Sequence, residues 1–562
     1  MIVSCLILIG DLFYLQVIRG NYFYTLSQNN SIRVVPLEGP RGRILDRNGV
    51  VLAENRLSYN VTITPQDVQD QNEIFDFLSK TLNIDRKKLL DQYKKNKTAP
   101  FAPVVVDEDI SKKDAIAIEE NKFRFPSLAI SQGHRRYYPQ QADAAHVLGY
   151  VGKINKTRLK KSKDYGYSPQ SFVGYTGIEE FYDDDLKGSS GGLQIEVDSR
   201  GRQVRLLSIR EPQRGKDIAL TIDSNIQRVS TEILNGVRGA IVVMDMDTGE
   251  ILGLVSSPSY DANVFVDDKL RKQFNSLFSQ SNSPLLNRAI KGLFPPGSVF
   301  KLPVGICALA NKKITPHTTF LCEGFFELGG ARFGCTHEHG QQNFVDSIAH
   351  SCNIYFYKIG LMVGADLIEQ YARWLGLGRK TNVDLPFEEA GFVPSRSKGF
   401  LFKKRNWFSG DTVNLSIGQG DTLTTPIQLT RMMATIANNG IEVQPHLIKM
   451  IGTDVIKKYD FKRPVHIDQG IFKIIQAGLR ETVARDSGTA HATDIEGLYV
   501  AGKTGTAQSV SGQDSHSWFV GYAKGKNKNV AFCVFLEFGG SSYNAVYLTR
   551  QLLMYLKDNQ LI

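Results

Sequence analysis

A serine and a lysine three positions apart, Ser298 and Lys301, stand in the stretch Phe294-Pro295-Pro296-Gly297-Ser298-Val299-Phe300-Lys301, ahead of an apolar run over residues 302–310. A hydroxyl is a poor nucleophile at neutral pH and needs a base beside it. If Ser298 opens a helix, Lys301 falls on the same face one turn along, where its amine reaches the hydroxyl. The lysine serves as a base only if burial or a neighbouring cation lowers its pKa, while the helix N-terminus stabilises negative charge developing close by. Pro303 lies two residues beyond Lys301, removes a backbone donor and is expected to bend the first turn. Taken alone, the pair is common by chance, and an ordinary helix cap is by far the plainer reading.

Two further clusters offer complementary groups. Ser351-Cys352-Asn353 precedes a helix-compatible run over residues 354–358. Ser351 would relay a proton between Lys301 and a leaving amine, and Asn353 would donate and accept hydrogen bonds to a substrate amide. A helix cap is the plainer reading of the tripeptide. Lys503-Thr504-Gly505-Thr506 follows an extended segment at 498–501. Gly505 would let a substrate backbone approach and pair with the strand edge, and Lys503, Thr504 and Thr506 would face a carboxylate. In isolation this too reads as a strand end.

Cys322, Cys335, His339 and Cys352 form a C-x12-C-x3-H-x12-C pattern, a Cys₃His set of the kind that holds structural zinc. Gly329-Gly330 offers a turn that folds Cys322 back towards Cys335, and His337 and His350 are reserve ligands. A Cys322–Cys335 disulfide and unconnected free thiols remain alternatives. Such a zinc would be structural, pinning Ser351 and Asn353 to the preceding loop; a serine nucleophile with a lysine base would itself require no cofactor.

These groups need elements to position them, and 562 residues exceed what one core usually organises. Residues 239–245 form a near-continuous apolar run, 247–250 turn and 251–256 return, beside a helical stretch at 223–233. Residues 498–501, 517–523 and 529–538 read as three more strands and 547–556 as a closing helix. The economical assembly is α+β: a five-stranded, mostly antiparallel sheet built from both ends of the domain, with helices from the intervening residues. Upstream, residues 34–54 are short extended runs, with Asn48-Gly49 signalling a type I′ hairpin. Residues 57–63 alternate like a strand with Leu57, Tyr59, Val61 and Ile63 on one face, and residues 73–93 carry helical spacing.

Residues 1–18 are apolar apart from Ser4, Asp11 and Gln16, with Arg19 following. This is a marginal membrane span, with room for more of the helix upstream, read as an uncleaved anchor because no cationic segment precedes it and no small-residue cleavage signal follows; a buried N-terminal helix of a cytoplasmic protein is the alternative. The net charge of +10 is spread over loops such as 153–163 and 398–405, and no zinc finger, RNA-binding signature or Walker loop accompanies it. Nucleic acid is not the expected partner. Six cysteines are too few for a disulfide scaffold of this length.

The three clusters in this order resemble the Ser-x-x-Lys, Ser-x-Asn and Lys-Thr-Gly triplet of penicillin-binding proteins and serine β-lactamases. Arg41-Gly42-Arg43-Ile44-Leu45-Asp46-Arg47-Asn48-Gly49 resembles the opening of the non-catalytic pedestal of class B penicillin-binding proteins. Arg136-Tyr137-Tyr138-Pro139 with residues 146–152, and residues 174–179 with Glu196-Val197-Asp198, resemble later pedestal motifs. Ser416-Ile417-Gly418-Gln419-Gly420 and Ser515-His516-Ser517-Trp518-Phe519-Val520-Gly521 resemble the helix and strand around the family's site. Cys322-x-Gly324, Phe333-x-Cys335 and His339-Gly340 ahead of Ser351 are similar to the elongation-type branch, penicillin-binding protein 2, more than to the division-type branch.

The resemblance implies an anchor over 1–19, a pedestal or dimerisation-like domain over 20–225 and a transpeptidase domain over 226–562. It implies a D,D-transpeptidase at the cytoplasmic membrane, single-pass, with its catalytic domain outside. Ser298, Lys301, Ser351, Asn353 and Lys503 would act on D-Ala-D-Ala stem peptides, with the backbone N–H groups of Ser298 and Thr506 as oxyanion hole. β-Lactams would acylate Ser298, and a polytopic glycan polymerase with other elongation-machinery proteins would be the partners. A β-lactamase or β-lactam sensor, or an inactive scaffold of the same fold, is the rival reading. Against a β-lactamase stand the long pedestal and the absence of a recognisable deacylating base; against a dead scaffold stands the intact set of catalytic residue types.

Overall fold

Strand Gly239–Asp245 (β1) is buried at every position, as its unbroken apolar sequence dictates, and Ile251–Ser257 (β2) returns antiparallel to it. From the far end of the chain come Tyr499–Ala507 (β3), His516–Lys524 (β4) and Asn529–Leu536 (β5). The five strands assemble in the order β2-β1-β5-β4-β3, all neighbours antiparallel, so β3 is an edge strand. The expected sheet is therefore present, with one correction. β3 runs six residues past the expected end at 501, so Lys503, Thr504, Gly505 and Thr506 lie within the strand and not beyond it. Their register is fixed by β4, with Gly505 opposite Trp518 and Thr506 opposite Ser517. The run was missed because Gly, Lys and Thr carry little strand signal; sheet pairing supplies what local propensity does not.

The described residues of this computed structural model are 2–23, 32–37, 39–97, 103–161, 171–198, 203–267, 270–279, 282–397, 406–509 and 512–562. The basic stretch 398–405 and the end of the 153–163 stretch lie outside them. The chain divides into two units interleaved in sequence: Met1–Arg43, Glu54–Tyr137 and Asp184–Asp217 form one, and Ile44–Ala53, Tyr138–Asp183 and Ile218–Ile562 the other.

The second unit holds the helices Lys301–Ala310 (α1), Phe344–Ala349 (α2), Asn353–Val363 (α3), Ser409–Ser416 (α4), Gln469–Ala484 (α5) and Ser542–Asp558 (α6), of which α5 and α6 pack on the sheet, as does Pro426–Ala437. Ile241, Val243, Phe519, Phe532 and Val534 of the sheet pack with Leu552, Leu553 and Leu556 of α6 in one apolar cluster, none more than 1% exposed. Each such side chain contributes about 1.5–3 kcal/mol on leaving water. α1 is buried over nearly its whole length and runs unbroken through Pro303. Pro303 is the third residue of the helix, where the backbone donor has no intrahelical partner to lose, and a tight turn over Gly297–Phe300 leads into it.

In the first unit, residues 54–63 of strand Val51–Ile63 pair with Leu128–Tyr137, and residues 59–63 with Val104–Ile110. The alternation expected for 57–63 fails at its start: Leu57 is exposed while Ser58 is buried. The helical stretch expected over 73–93 is two helices, Gln71–Leu82 and Arg86–Asn96. Asn83 takes a left-handed conformation at φ 54° and ends the first, and the Asp85 carboxylate accepts from the N–H of Lys87 to cap the second. A separate sheet joins Ile32–Leu37, Gly191–Val197 and Gln203–Arg210.

The Asn48-Gly49 turn connects strand Ile44–Leu45 to the start of Val51–Ile63 as expected, but it is not type I′. Only Gly49 has positive φ, and the turn is built on Asp46, whose Oδ1 accepts from the N–H groups of Asn48 and Val50 at 2.8 Å each. At the N-terminus, helix Ile2–Phe13 continues as a wider turn over Tyr14–Ile18, all exposed. Among the described residues no helix is long and apolar enough to cross a membrane.

Candidate active site

Ser298 sits partly buried in the turn that opens α1, the place expected for it from the sequence. Gly297 before it has φ 55°, and a Cβ there would lie 2.5 Å from the Thr506 carbonyl oxygen. A Cβ on Gly505 would lie 2.9 Å from the Pro296 carbonyl oxygen. The serine turn and β3 therefore approach as closely as they do only because both positions are glycine. The Trp518 indole N–H donates to the Pro295 carbonyl at 3.1 Å, and Gly297 N–H donates to the Gly418 carbonyl at 3.1 Å, fixing the turn from two further sides.

Lys301 is completely buried. Its Nζ donates to the Ser351 carbonyl at 2.6 Å, the Ser351 hydroxyl at 3.2 Å and Asn353 Oδ1 at 2.7 Å. None of these acceptors is a carboxylate, so burial dominates and lowers the amine to about 8, opposed by the nearby thiols of Cys335 and Cys352. Ser351 is held at φ 57°, a left-handed conformation unfavourable for a residue with a Cβ, immediately before Cys352 caps α3. The Asn353 amide is oriented by its Nδ2, which donates to the Gly334 carbonyl at 3.2 Å and leaves Oδ1 to Lys301.

On the opposite wall, Lys503 is buried and held well below the usual lysine range by that burial, with the positive charge of Lys301 adding to it. Its Nζ donates to the Thr504 carbonyl at 3.3 Å. Thr504 is also buried and its hydroxyl is bonded to that of Thr489 at 2.8 Å, whereas Thr506 is exposed. Gln419 Nε2 donates to the Thr506 carbonyl at 3.4 Å. Thr489 and the hairpin carbonyl of Gly334 went unrecognised in the sequence, because nothing local marks either; their place follows from tertiary packing alone.

Cys322, Cys335, His339 and Cys352 converge: one ligand atom from each lies within 4.8 Å of all the others. The hairpin of Phe325–Leu328 and Ala331–Gly334, turned by Gly329 and Gly330 at φ 58° and 81°, returns the chain so that Cys335 N–H donates to the Gly324 carbonyl at 2.8 Å. His339 Nδ1 lies 3.4 Å from Cys322 Sγ and 3.6 Å from Cys335 Sγ. Zn–S and Zn–N bonds of ~2.3 and ~2.0–2.1 Å at tetrahedral angles place S and N roughly 3.6 Å apart. Cys335 is held far down by the Cys352 thiol donating to it, with the N–H of Asn353 assisting, and Cys352 is pushed up by the same pairing and by burial. All six cysteines are free, so the alternative Cys322–Cys335 bridge does not form in this structure. Neither reserve ligand joins the set: His337 is exposed, and His350 uses both ring nitrogens, on Gln342 Oε1 at 2.9 Å and Ser487 Oγ at 3.1 Å.

A buried lysine between two serine-bearing turns, facing a glycine-bearing edge strand, is a constellation that can be compared with known proteins. Residues 239–552 match the penicillin binding protein transpeptidase domain, and residues 36–220 the penicillin-binding protein dimerisation domain. The chain belongs to the penicillin-binding protein transpeptidase family. It is 33% identical to the peptidoglycan D,D-transpeptidase MrdA of Escherichia coli K12, over 98% of this chain and 92% of that one. Stage V sporulation protein D of Bacillus subtilis is 28% identical over 96% of this transpeptidase and 82% of its own length. Among solved structures, penicillin-binding protein 2 of Helicobacter pylori in complex with MreC superposes with a TM-score of 0.86 at 29% identity, covering 94% of this chain and 100% of that one. Penicillin-binding protein 2 of Pseudomonas aeruginosa in complex with WCK 5153 gives a TM-score of 0.71 at 29% identity, over 93% and 96% of the two chains.

Proposed function

We propose that this chain is a serine D,D-transpeptidase of the penicillin-binding protein 2 type, cross-linking peptidoglycan stem peptides through an acyl-enzyme on Ser298 and inhibited by β-lactams. The observation that carries the assignment of roles is the wholly buried Lys301 amine, hydrogen-bonded to the Ser351 carbonyl and hydroxyl and to Asn353. Lys301 as free amine takes the Ser298 proton while Oγ attacks the penultimate D-Ala carbonyl. The N–H groups of Ser298 and Thr506 receive the oxyanion. When the amide C–N bond breaks, the proton returns from Lys301 through the Ser351 hydroxyl to the departing D-Ala amine. An amine on a neighbouring stem then attacks the ester and restores Ser298. Lys503 with Thr504 and Thr506 meets the donor's terminal carboxylate, and the outer edge of β3 takes the stem backbone by strand addition. Peptide mapping after incubation with benzylpenicillin is expected to place the penicilloyl group on the peptide containing Ser298. An adduct on any other residue overturns the assignment.

Structural zinc at Cys322, Cys335, His339 and Cys352 forms part of this reading, since three thiols and an imidazole at tetrahedral spacing fit that metal. It would supply folding energy, tying Cys352, and with it the Ser351–Asn353 turn, to the hairpin. Elemental analysis of purified protein is expected to find close to one equivalent of zinc with all thiols titrating under denaturing conditions. No metal, together with two thiols that appear only after reduction, would sink this part.

The exposed apolar helix Ile2–Phe13 supports attachment to the cytoplasmic membrane with the catalytic unit outside it. The enzyme makes no glycan, so a polytopic glycan polymerase of the elongation machinery is the inferred partner. The likeness to a solved peptidoglycan synthase complex that coordinates polymerization and crosslinking, with a TM-score of 0.76 at 30% identity over 99% of this chain and 96% of that one, supports it.

A further inference from the structure

The two walls of the site are carried by different elements, the Ser351–Asn353 turn by the junction of α2 and α3, and Lys503–Thr506 by β3. Among the described residues no hydrogen bond runs directly from Ser351 or Asn353 to residues 503–506. The connection is indirect and passes through the segment that follows α5. Arg485 Nη1 donates to Asp346 Oδ1 of α2 at 2.6 Å, and its Nε is bonded to Glu481 within α5. Ser487 Oγ meets His350 Nε2 at 3.1 Å, one residue before Ser351. Thr489 N–H donates to the Ala349 carbonyl at 3.4 Å, while the Thr489 hydroxyl bonds that of Thr504 on β3 at 2.8 Å. From the same helix, Arg480 Nη1 donates to the Val500 carbonyl of β3 at 2.9 Å.

We propose that residues 485–489 are a brace that sets the gap between the two walls, and that Thr489 is its positioning residue for the substrate-carboxylate end of the site. Three of its contacts grip the end of α2 and one grips Thr504, so the segment is a continuous polar path between the walls. Thr504 is buried with its hydroxyl held by this one bond, and its rotamer fixes where that hydroxyl stands relative to Lys503. Thr489 itself is exposed, so the cost of removing its hydroxyl falls on Thr504, whose hydroxyl loses its partner. The function affected is reception of an anionic substrate, not the activation of Ser298. This inference rests on the transpeptidase reading above.

The experiment is a double-mutant cycle on the full chain, reading second-order acylation by a fluorescent penicillin together with the melting midpoint. Thr489→Val is expected to slow acylation roughly tenfold, the size of one lost hydrogen bond to a positioned group. Thr489→Ser, which keeps the bond to Thr504, should restore most of it with a midpoint within error of wild type, whereas Thr489→Val is expected to lower the midpoint because it leaves the buried Thr504 hydroxyl unpaired. Thr489→Val combined with Thr504→Val should be no slower than Thr504→Val alone, because the brace acts through Thr504. Losses that multiply in the double variant, or a Thr489→Val enzyme acylating at the wild-type rate, overturn the proposal. If Thr489→Val lowers the midpoint, Thr489→Ser and the cycle still decide it. Failure of Ser298 to label would instead sink the transpeptidase reading, so the two failures are distinguishable.

Discussion

Ser298→Ala is expected to form no penicillin adduct and to release no D-Ala from a pentapeptide stem, while melting within about 0.5 kcal/mol of wild type. The stability side follows from its place: Ser298 is only partly buried, in the turn before α1, and the turn is fixed by backbone bonds and by Trp518, not by the Ser298 hydroxyl. The chemical side follows from the absence of any substitute. Among the described residues the Ser351 hydroxyl is the one bonded to Lys301, and it sits on a backbone held in the left-handed region. Removing a serine nucleophile costs on the order of 10⁶-fold where it has been measured in serine hydrolases, which here is below detection. Gel fluorescence with a labelled penicillin, run beside a melting curve, checks both sides. A folded Ser298→Ala protein that still carries a hydroxylamine-labile label would show that the nucleophile lies elsewhere.

What the sequence made legible is what chemistry or burial fixes locally. The serine, lysine and asparagine proposed for the site stood out only through the order of the three clusters together, whereas β1, β2 and β5 were readable because strands buried on both faces are near-continuous apolar runs. The four proposed metal ligands were readable from spacing because a Gly-Gly hairpin closes the distance between Cys322 and Cys335. β3 was half legible: residues 499–501 look like a strand, and Lys503–Thr506 do not, since the Cβ-free position at Gly505 serves the close approach of Pro296 and not strand propensity. The break between the two helices at Asn83 carried a signal that was passed over, Asp85 as cap after an Asn that tolerates left-handed geometry. Leu57 and Thr489 carried none. An exposed leucine in a strand and a threonine after a helix acquire meaning only from what the folded chain puts beside them.

The second large effect belongs to Lys301. Replacing it with methionine, which keeps the stem and removes the amine, should slow acylation by about 10²–10⁴-fold, the usual contribution of a positioned general base. In the wild type the acylation rate should rise with pH and level off above about 8, because only the free amine can accept the Ser298 proton and burial has lowered its pKa to about 8. At pH 7 about one molecule in ten then holds the amine free. The same displacement has a consequence for folding with a definite sign. The folded amine titrates below the usual lysine value of 10.5, so the unfolded chain binds the extra proton between about 8 and 10.5. The penalty for burying a charged Lys301 is fully present below about 8 and is relieved as pH rises through that window. Lys301→Met should lose both the upward limb of the rate profile and this contribution to the pH dependence of stability. Stopped-flow acylation between pH 6 and 10 reads the first directly. A wild-type rate that is flat across that range would mean that the amine is not the base, whatever the methionine variant does.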